Sequence, residues 1–369
     1  MGSVPAGVEV RAHSSVDEQL FSAVPLGATS STPKRLLVVI PALNEVNTVG
    51  AVVRAIPRKI PGISEIGVVV IDDSSTDGTG LAAAENGAQV VRHESPRGVG
   101  TVFGRALDLV VETGADVMVY MDGDGQFDPA DIPRLIAPIL AGTADLVVGR
   151  RYGPGAPPRR LDPNPQPLCK RLGNLGMACL LSVLTWRRIY DAACGFRAYS
   201  AETAMKINPR GRFTYTQEVL LEACFKGLRL EQVPIRVRGQ RAFGQSRVAR
   251  SLVRYGYNAI FIIARTFRDY KPLRFFGWAG GALSTLGLAV GGFFIQHYLR
   301  TGKFHPHTWA GFVGAFFLMV GMLMIISGLL ADMLDRIRLH QEEILYAVRA
   351  ATHAERRRQP WAMPGRPIK

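Results

Sequence analysis

The sequence predicts an α/β domain built on a mostly parallel, Rossmann-like sheet, followed by amphipathic interface helices and two transmembrane helices. Three observations carry this. From Lys34 onward, short apolar runs rich in β-branched residues alternate with helical patterns. Near-continuous apolar strands separated by helices form a parallel sheet covered on both faces. Two later runs, Phe275 to Leu299 and Trp309 to Ala331, contain no Lys, Arg, Asp or Glu. At 1.5 Å rise per residue each reaches roughly 35 Å, against a hydrocarbon core of about 30 Å. Finally, most of the +14 net charge of the 369 residues is local: ten Arg and Lys between Arg236 and Arg274 face one acid, Asp269.

Residues 1–34, rich in Ser, Ala and Gly, read as a poorly ordered tail, and no Arg-flanked apolar run with a cleavage site opens the chain. Residues 35–248 make the α/β domain. Its first strand is Leu36 to Ile40, followed by a helix with Thr48, Val49, Val52, Val53 and Ile56 on one face. The pattern repeats with Ile66 to Ile71 and a helix after Thr76, then Gln89 to Arg92 and a helix from Thr101. Asp116 to Met121 precedes a helix over Pro129 to Leu140, and Leu146 to Val148 adds a strand. The Pro-rich stretch 153–167 reads equally as a loop over a binding site or a passive connection.

Residues 249–274 mix Leu252, Val253, Tyr255, Ile260, Phe261 and Ile263 with Arg250, Arg254, Arg265 and Arg268. They read as one or two amphipathic helices on a membrane face, where each cation near anionic lipid is worth on the order of 1 kcal/mol. The spans 275–299 and 309–331 enclose an external loop, 300–308, whose only cations are Arg300 and Lys303. Cations cluster before the first span and after the second. The positive-inside rule therefore places the domain and both termini in the cytoplasm, in a multi-pass cell-membrane protein. Residues 332–369 read as a cytoplasmic helix and basic tail. Gly277 with Gly281 and Gly287 with Gly291 permit close helix contact, equally within this pair of spans or in a homo-oligomer.

Composition narrows the chemistry. With 47% hydrophobic and 20% charged residues, disorder throughout is excluded. Four cysteines without a secreted spacing fit a reduced compartment, and seven scattered histidines argue against a His/Cys zinc site. The informative residues lie at strand ends, where parallel sheets bind ligands: Pro41-Ala42-Leu43-Asn44-Glu45, Asp72-Asp73-Ser74-Ser75-Thr76-Asp77-Gly78 and Asp122-Gly123-Asp124-Gly125-Gln126. Each alone is explained by turn or helix-cap chemistry. Their placement at successive strand ends of one sheet is what distinguishes them. Two carboxylates one residue apart, with an amide two further on, offer oxygens to a hard cation while leaving positions for phosphate and water.

These segments, together with Ala193-Cys194-Gly195-Phe196-Arg197-Ala198-Tyr199 and Phe243-Gly244-Gln245-Ser246-Arg247, resemble family 2 glycosyltransferases of the GT-A fold. More narrowly they are similar to the dolichyl-phosphate mannose synthase and bacterial polyprenyl-phosphate glycosyltransferase group. The resemblance covers about Leu36 to Arg250, and the two-span tail extends it to about Arg349. It implies that Pro41, Leu43, Glu45, Asp72 and Asp73 contact the nucleoside of a nucleotide-sugar donor, and that Asp122, Asp124 and Gln126 hold Mg²⁺ or Mn²⁺ on its diphosphate. It further implies that Arg151 and Arg241, with Lys170 and Arg171, hold the phosphate of a polyprenyl phosphate acceptor, and that Glu218 lies on the acceptor side. Asp124, Arg151 and Arg241 are then the catalytic residues. Gly123 stands where the mannose synthases commonly carry Ala, which leaves the ligands untouched. Arg150 beside Arg151 leaves open which guanidinium faces the phosphate.

The implied reaction is an inverting, metal-dependent transfer of a sugar to polyprenyl phosphate at the cytoplasmic face, supplying a lipid-linked sugar for cell-envelope glycan or glycoprotein synthesis. Transfer to a glycolipid or polysaccharide hydroxyl is the alternative among enzymes, although a processive synthase should carry Gln-x-x-Arg-Trp and more spans. A membrane-tethered binder of anionic lipid or nucleic acid is the alternative of another class. The basic stretch lies between the domain and the spans, which favours a phosphate-bearing lipid surface over nucleic acid.

Overall fold

The apolar runs become strands β1 (Lys34–Ala42), β2 (Ile63–Asp72), β3 (Gln89–Arg92), β4 (Val117–Tyr120), β5 (Leu146–Arg150) and β7 (Leu230–Pro234), with β6 (Arg197–Ser200) added. The computed structural model describes residues 34–155, 168–209, 211, 215–238 and 252–363. Expectations for the N-terminal tail before Lys34, most of the Pro-rich stretch, and Arg241 with the Gly-Gln-Ser segment lie outside those residues.

The sheet order is β3-β2-β1-β4-β6-β5-β7. β1 pairs in parallel with β2 and β4, β2 with β3, and β5 with β7. β6 runs antiparallel to both neighbours, with Arg197 opposite Tyr120 and Val148. This reversal has a functional consequence. The approach to β6 arrives at the sheet edge where β4 and β5 end, so residues 191–196 meet the Asp122 turn and Arg151. Leu36 to Ile40 and Met118 to Tyr120 have no solvent exposure, as their unbroken apolar character requires.

The sheet is covered by α1 (Val46–Ala55), α2 (Thr79–Glu85), α3 (Val99–Thr113), a 3₁₀ turn at Pro129–Asp131 with α4 (Ile132–Leu140), α5 (Leu168–Thr185), α6 (Ala201–Lys206) and α7 (Thr216–Phe225). Asp128 caps the 3₁₀ turn by accepting the Ala130 N–H, and Ser200 caps α6 by accepting that of Thr203. The amphipathic stretch forms a single helix among the described residues, α8 (Leu252–Tyr270). Its buried face, Ala259, Ile263 and Phe267, turns inward, and α8 packs on α7.

Two long helices follow, α9 (Pro272–Thr301) and α10 (Thr308–Arg358), and both are long and apolar enough to cross a membrane. They pack through glycines: Gly280 and Gly287, seven apart, meet Gly321 and Gly314, and Gly291, four residues after Gly287 as expected, also lies against Gly314. A Cβ on Gly287 would lie 2.7 Å from the Leu318 nitrogen, whereas Cβ atoms on Gly277 and Gly281 would meet open space. A seven-residue repeat keeps one seam facing its partner along two crossing helices.

α10 differs from the expected span plus separate helix: it continues unbroken for 51 residues, about 75 Å. No Gly or Pro occurs between Asp332 and Arg358 to stop it. Its far end braces the base of the sheet. Arg357 pairs with Asp116 at 3.0 Å, the His353 ring meets the Ala115 carbonyl at 2.9 Å, and Arg35 donates to the Gln359 carbonyl at 2.9 Å. Nearer the spans, Arg338 donates to the Asp269 carbonyl at 2.9 Å and stacks on Tyr270, while Lys226 bridges Glu222 and Glu342.

Candidate active site

The turns after β1 and β2 are stitched to each other. Asn44 sits in the left-handed region at φ 51°, and its side-chain Oδ1 accepts the Thr76 N–H at 2.8 Å. The Asn44 N–H reaches Ser75 Oγ at 2.9 Å, that of Glu45 reaches Thr79 Oγ1 at 2.8 Å, and that of Val46 reaches Asp77 Oδ2 at 3.2 Å. Short polar side chains at these positions are therefore obligatory turn chemistry as well as candidate ligand contacts. Pro41, Leu43, Glu45, Asp72 and Asp73 come together at these adjoining strand ends.

The two adjacent aspartates have distinct surroundings. Asp72 is fully buried, accepting the Ser75 N–H at 2.8 Å and pairing with Arg92 at 3.2 Å. Asp73 accepts the N–H groups of Arg97 and Gly98 at 2.9 and 3.0 Å and meets His93 Nδ1 at 2.9 Å. Burial opposes its ionisation, but the hydrogen bonds from His93, Arg97 and Gly98 outweigh burial and hold the carboxyl below its usual range. Both carboxylates thus fix the walls of the cleft.

Gly125, at φ 72°, lets the chain double back between Asp124 and Gln126. Asp124 is only 2% exposed, and its Oδ1 accepts the Gln126 N–H at 3.0 Å. Gln126 Nε2 donates to the Arg238 carbonyl at 2.9 Å, the Arg238 N–H returns to the Gln126 carbonyl at 2.9 Å, and Thr48 Oγ1 holds the Gly123 carbonyl at 2.8 Å. The turn is pinned from both sides. Among the described residues no group of three or more His, Cys, Asp and Glu could hold a metal. Two carboxylates and an amide oxygen fit a hard divalent ion whose other ligands come from a diphosphate. The surroundings leave room for it: a Cβ on Gly195 would lie 3.1 Å from Asp122 Oδ2 and 3.4 Å from the Tyr215 hydroxyl. Only glycine gives Asp122 that clearance. Burial, then the Asp122 charge, push the Tyr120 hydroxyl well up, so a neutral phenol stands behind this carboxylate.

Arg151 lies across the cleft. Its Nε and Nη2 fork onto Asp191 at 2.7 and 2.8 Å, and its main-chain N–H reaches the same carboxylate at 3.1 Å. Asp191 is fully buried and also accepts the Ala193 N–H at 3.2 Å. Arg150 points elsewhere: its Nε donates to the Gln232 carbonyl on β7 at 3.1 Å, and its guanidinium stacks on Tyr190. The Tyr152 ring receives both Arg151, at 5.5 Å, and Arg171 of α5, at 5.6 Å. Arg151 and Arg171 therefore form one cationic corner. No hydrogen bond or ion pair among the described residues ties Lys170 to it. Glu218 accepts the Gly211 N–H at 2.9 Å and lines a small cavity with Arg265, Thr266 and Tyr270 at the α7–α8 junction. It faces α8.

Sequence reading missed Asp191, Tyr152 and the role of Gly195. The signal for Asp191 was its place three residues before Cys194-Gly195-Phe196-Arg197, on a segment that had to return to the same sheet edge. Arg197 anchors that segment: fully buried, it donates to the Cys194 and Thr216 carbonyls, both at 2.9 Å.

Comparison with known proteins agrees with this arrangement. The model of the family described as glycosyl transferase family 2 matches residues 37–206, which include each of these turns. Polyprenol monophosphomannose synthase of Mycolicibacterium smegmatis is 30% identical over 64% of this chain and 88% of its own length. Undecaprenyl-phosphate mannosyltransferase of Micrococcus luteus is 30% identical over 59% of this chain and 89% of its own. A UDP-N-acetylglucosamine–dolichyl-phosphate N-acetylglucosaminyltransferase of Methanococcus voltae is 29% identical over 55% and 85%. Among solved structures, glucosyl-3-phosphoglycerate synthase of Mycobacterium tuberculosis, with Mn²⁺, UDP-glucose and phosphoglyceric acid, superposes with a TM-score of 0.48 at 24% identity over 63% of this chain and 80% of that one. Relatives this similar along most of their own length show that the chain belongs to glycosyl transferase family 2, as a hexosyltransferase.

Proposed function

We propose that the protein transfers a hexosyl group from a nucleotide sugar to a polyprenyl phosphate at the cytoplasmic face of the cell membrane, with a divalent ion and with inversion. The observation that carries this reading is the Asp191–Arg197 segment, which meets Asp122 at Gly195 and grips Arg151 through Asp191. One short loop links the corner suited to a donor diphosphate to the corner suited to an acceptor phosphate.

Each residue has a stated task. Pro41, Leu43 and Glu45, on loops fixed by Asp72 and Asp73, bind the nucleoside. Asp122, Asp124 and Gln126 would hold Mg²⁺ or Mn²⁺, which neutralises charge developing on the departing diphosphate. Arg151 and Arg171, with Arg241, bind and orient the acceptor phosphate through charge-assisted donors. An ionised phosphate oxygen is a nucleophile at neutral pH, so no strong general base is required. That oxygen forms a bond to the anomeric carbon as the bond to the nucleoside diphosphate breaks, the leaving group departing with the electron pair. Glu218 and α8 lie on the side from which the lipid acceptor enters, and α9 and α10 anchor the domain. Two cations on Tyr152 favour an anionic acceptor over a sugar hydroxyl.

The test is to incubate the purified full chain with polyprenyl phosphate, Mg²⁺ or Mn²⁺ and a panel of nucleotide sugars, and to read the lipid product by mass spectrometry. One donor should yield a glycosyl phospholipid with inverted anomeric configuration, and Asp124→Asn should abolish it. A folded protein that gives no lipid product from any donor would overturn the proposal.

A further inference from the structure

Behind the metal turn lies a set of aromatic side chains that the transfer reaction leaves unexplained. Tyr120 on β4 stands opposite Arg197 on β6, and Tyr199 follows two residues along the same strand, so all three share one face of the sheet. Phe103 of α3 covers them: its ring meets Tyr120 edge-on at 5.1 Å and Tyr199 at 5.5 Å, and stacks on Tyr215 at 4.1 Å. The Arg197 guanidinium lies over the Tyr215 ring at 5.6 Å. Three phenols and one guanidinium are thus withdrawn from water, none of them more than 2% exposed.

Packing alone does not account for the hydroxyls. Phe103 fills the same layer without one, and burying a hydroxyl that lacks a good acceptor is costly. The hydroxyls of Tyr120 and Tyr199 have no hydrogen-bond partner among the described residues. Tyr215 differs, because its hydroxyl leaves the cage toward the metal turn. There it donates to the Gly195 carbonyl at 3.4 Å, well beyond the usual distance of about 2.8 Å.

A better acceptor stands beside it. A Cβ on Gly195 would be 3.4 Å from the Tyr215 hydroxyl and 3.1 and 3.5 Å from the two oxygens of Asp122, so the phenol and the carboxylate flank the same point on the chain. Burial first, then Tyr120, Tyr199 and the Asp122 charge, hold the Tyr215 hydroxyl well above its usual range. A phenol kept neutral in this way offers a proton to a carboxylate at any working pH, and its O–H rotates freely to do so.

We infer that Tyr215 is a positioning residue of the metal site: its hydroxyl turns to Asp122 and holds the carboxylate in the orientation that a divalent ion requires. Phe103 and Arg197 fix the ring, and Gly195 supplies the clearance between hydroxyl and carboxylate. This rests on the assignment of Asp122 as a metal ligand in the proposed function and adds the group that orients it. Ligating carboxylates are themselves held by outer hydrogen bonds, whose loss costs about 10- to 100-fold in metal affinity.

The test titrates the purified full chain in detergent with Mn²⁺ alone, followed by EPR, as the parent and as Tyr215→Phe, Tyr199→Phe and Asp122→Asn. Tyr215→Phe removes one oxygen and keeps the stack on Phe103. It should weaken Mn²⁺ binding about tenfold or more without a matching fall in the thermal midpoint. Tyr199→Phe takes a hydroxyl from the same cage and should bind Mn²⁺ as the parent does. Parent-like affinity in Tyr215→Phe overturns the inference. So does an equal loss in Tyr199→Phe, which traces the effect to the cage rather than to the hydroxyl beside Asp122. Asp122→Asn separates the two proposals. If it abolishes Mn²⁺ binding and Tyr215→Phe does not weaken it, only this inference falls; if it leaves Mn²⁺ binding intact, the metal reading falls and takes this one with it.

Discussion

Removing the Asp191 carboxylate should open the acceptor corner locally. In Asp191→Ala, Arg151 loses both forked bonds, at 2.7 and 2.8 Å, and its main-chain N–H loses its acceptor, while the Ala193 N–H keeps only Asn174 Oδ1, at 3.1 Å. Arg151 has only 16% of its side chain exposed, so its charge is left largely buried and uncompensated. Breaking a buried pair in this way costs about 3–5 kcal/mol. If the loss falls on the local opening equilibrium, amide protection should drop by roughly 10² to 5 × 10³ in peptides spanning 146–152 and 189–197. Hydrogen exchange read by mass spectrometry checks this, with peptides of β2 and β3 as an internal reference that should stay unchanged. The double variant Arg151→Met, Asp191→Leu should recover most of the protection, because two apolar groups replace both charges, yet remain inactive. Less than a tenfold loss in the single variant, or no recovery in the double, would refute the reasoning.

Three further outcomes follow from the geometry. Gly195→Ala places a methyl 3.1 Å from Asp122 Oδ2 and should weaken Mn²⁺ binding about tenfold, the low end for a residue that shapes a ligand's surroundings; Mn²⁺ titration followed by EPR measures it, and unchanged affinity contradicts it. Asp73 is held below its usual carboxyl range when folded, so its contribution is complete above the unfolded value near 4 and disappears as pH falls through the lower folded value. Acid unfolding should accordingly be shallower below about pH 4 in Asp73→Asn, which lacks this linkage; identical acid profiles would count against it. Gly114→Ala puts a Cβ 2.7 Å from the Arg357 nitrogen at a residue with φ 66°, and should release the end of α10 to trypsin at Arg356–Arg358 at least several-fold faster than in the parent.

Much of this arrangement was legible in the residues. The strands with unbroken apolar runs announced themselves, and the turns after them could be read as a site because parallel sheets gather ligands at one edge. What escaped was set by tertiary context. Arg197–Ser200 has only Ala198 and Tyr199 as apolar residues and nothing in it fixes its direction, so the antiparallel insertion and its delivery of Asp191 were not visible. A buried aspartate paired with a buried arginine looks like any surface pair in sequence. Of the two expected four-residue glycine pairs, Gly287 with Gly291 meets Gly314 while Gly277 with Gly281 faces open space, since many glycines were available and only the crossing geometry selects among them.

The brace at the base of the sheet also fixes an order of assembly. Arg35 lies at the start of β1 and donates to carbonyls at Arg357 and Gln359, more than 320 residues later in the chain. Strands β1 to β7 can emerge and pair during synthesis, but the contacts closing the bottom of β1 and β4 form only after both long helices are made. Such distant contacts are the slowest to gain, since the loop must close before they reward it. The nascent domain therefore waits with Asp116, and with Gly67, against which Trp361 and Met363 pack, uncovered until residues 353–363 arrive. A nonsense codon or a bulky fusion near Arg349 would leave it in that unfinished state even with every residue of the cleft intact.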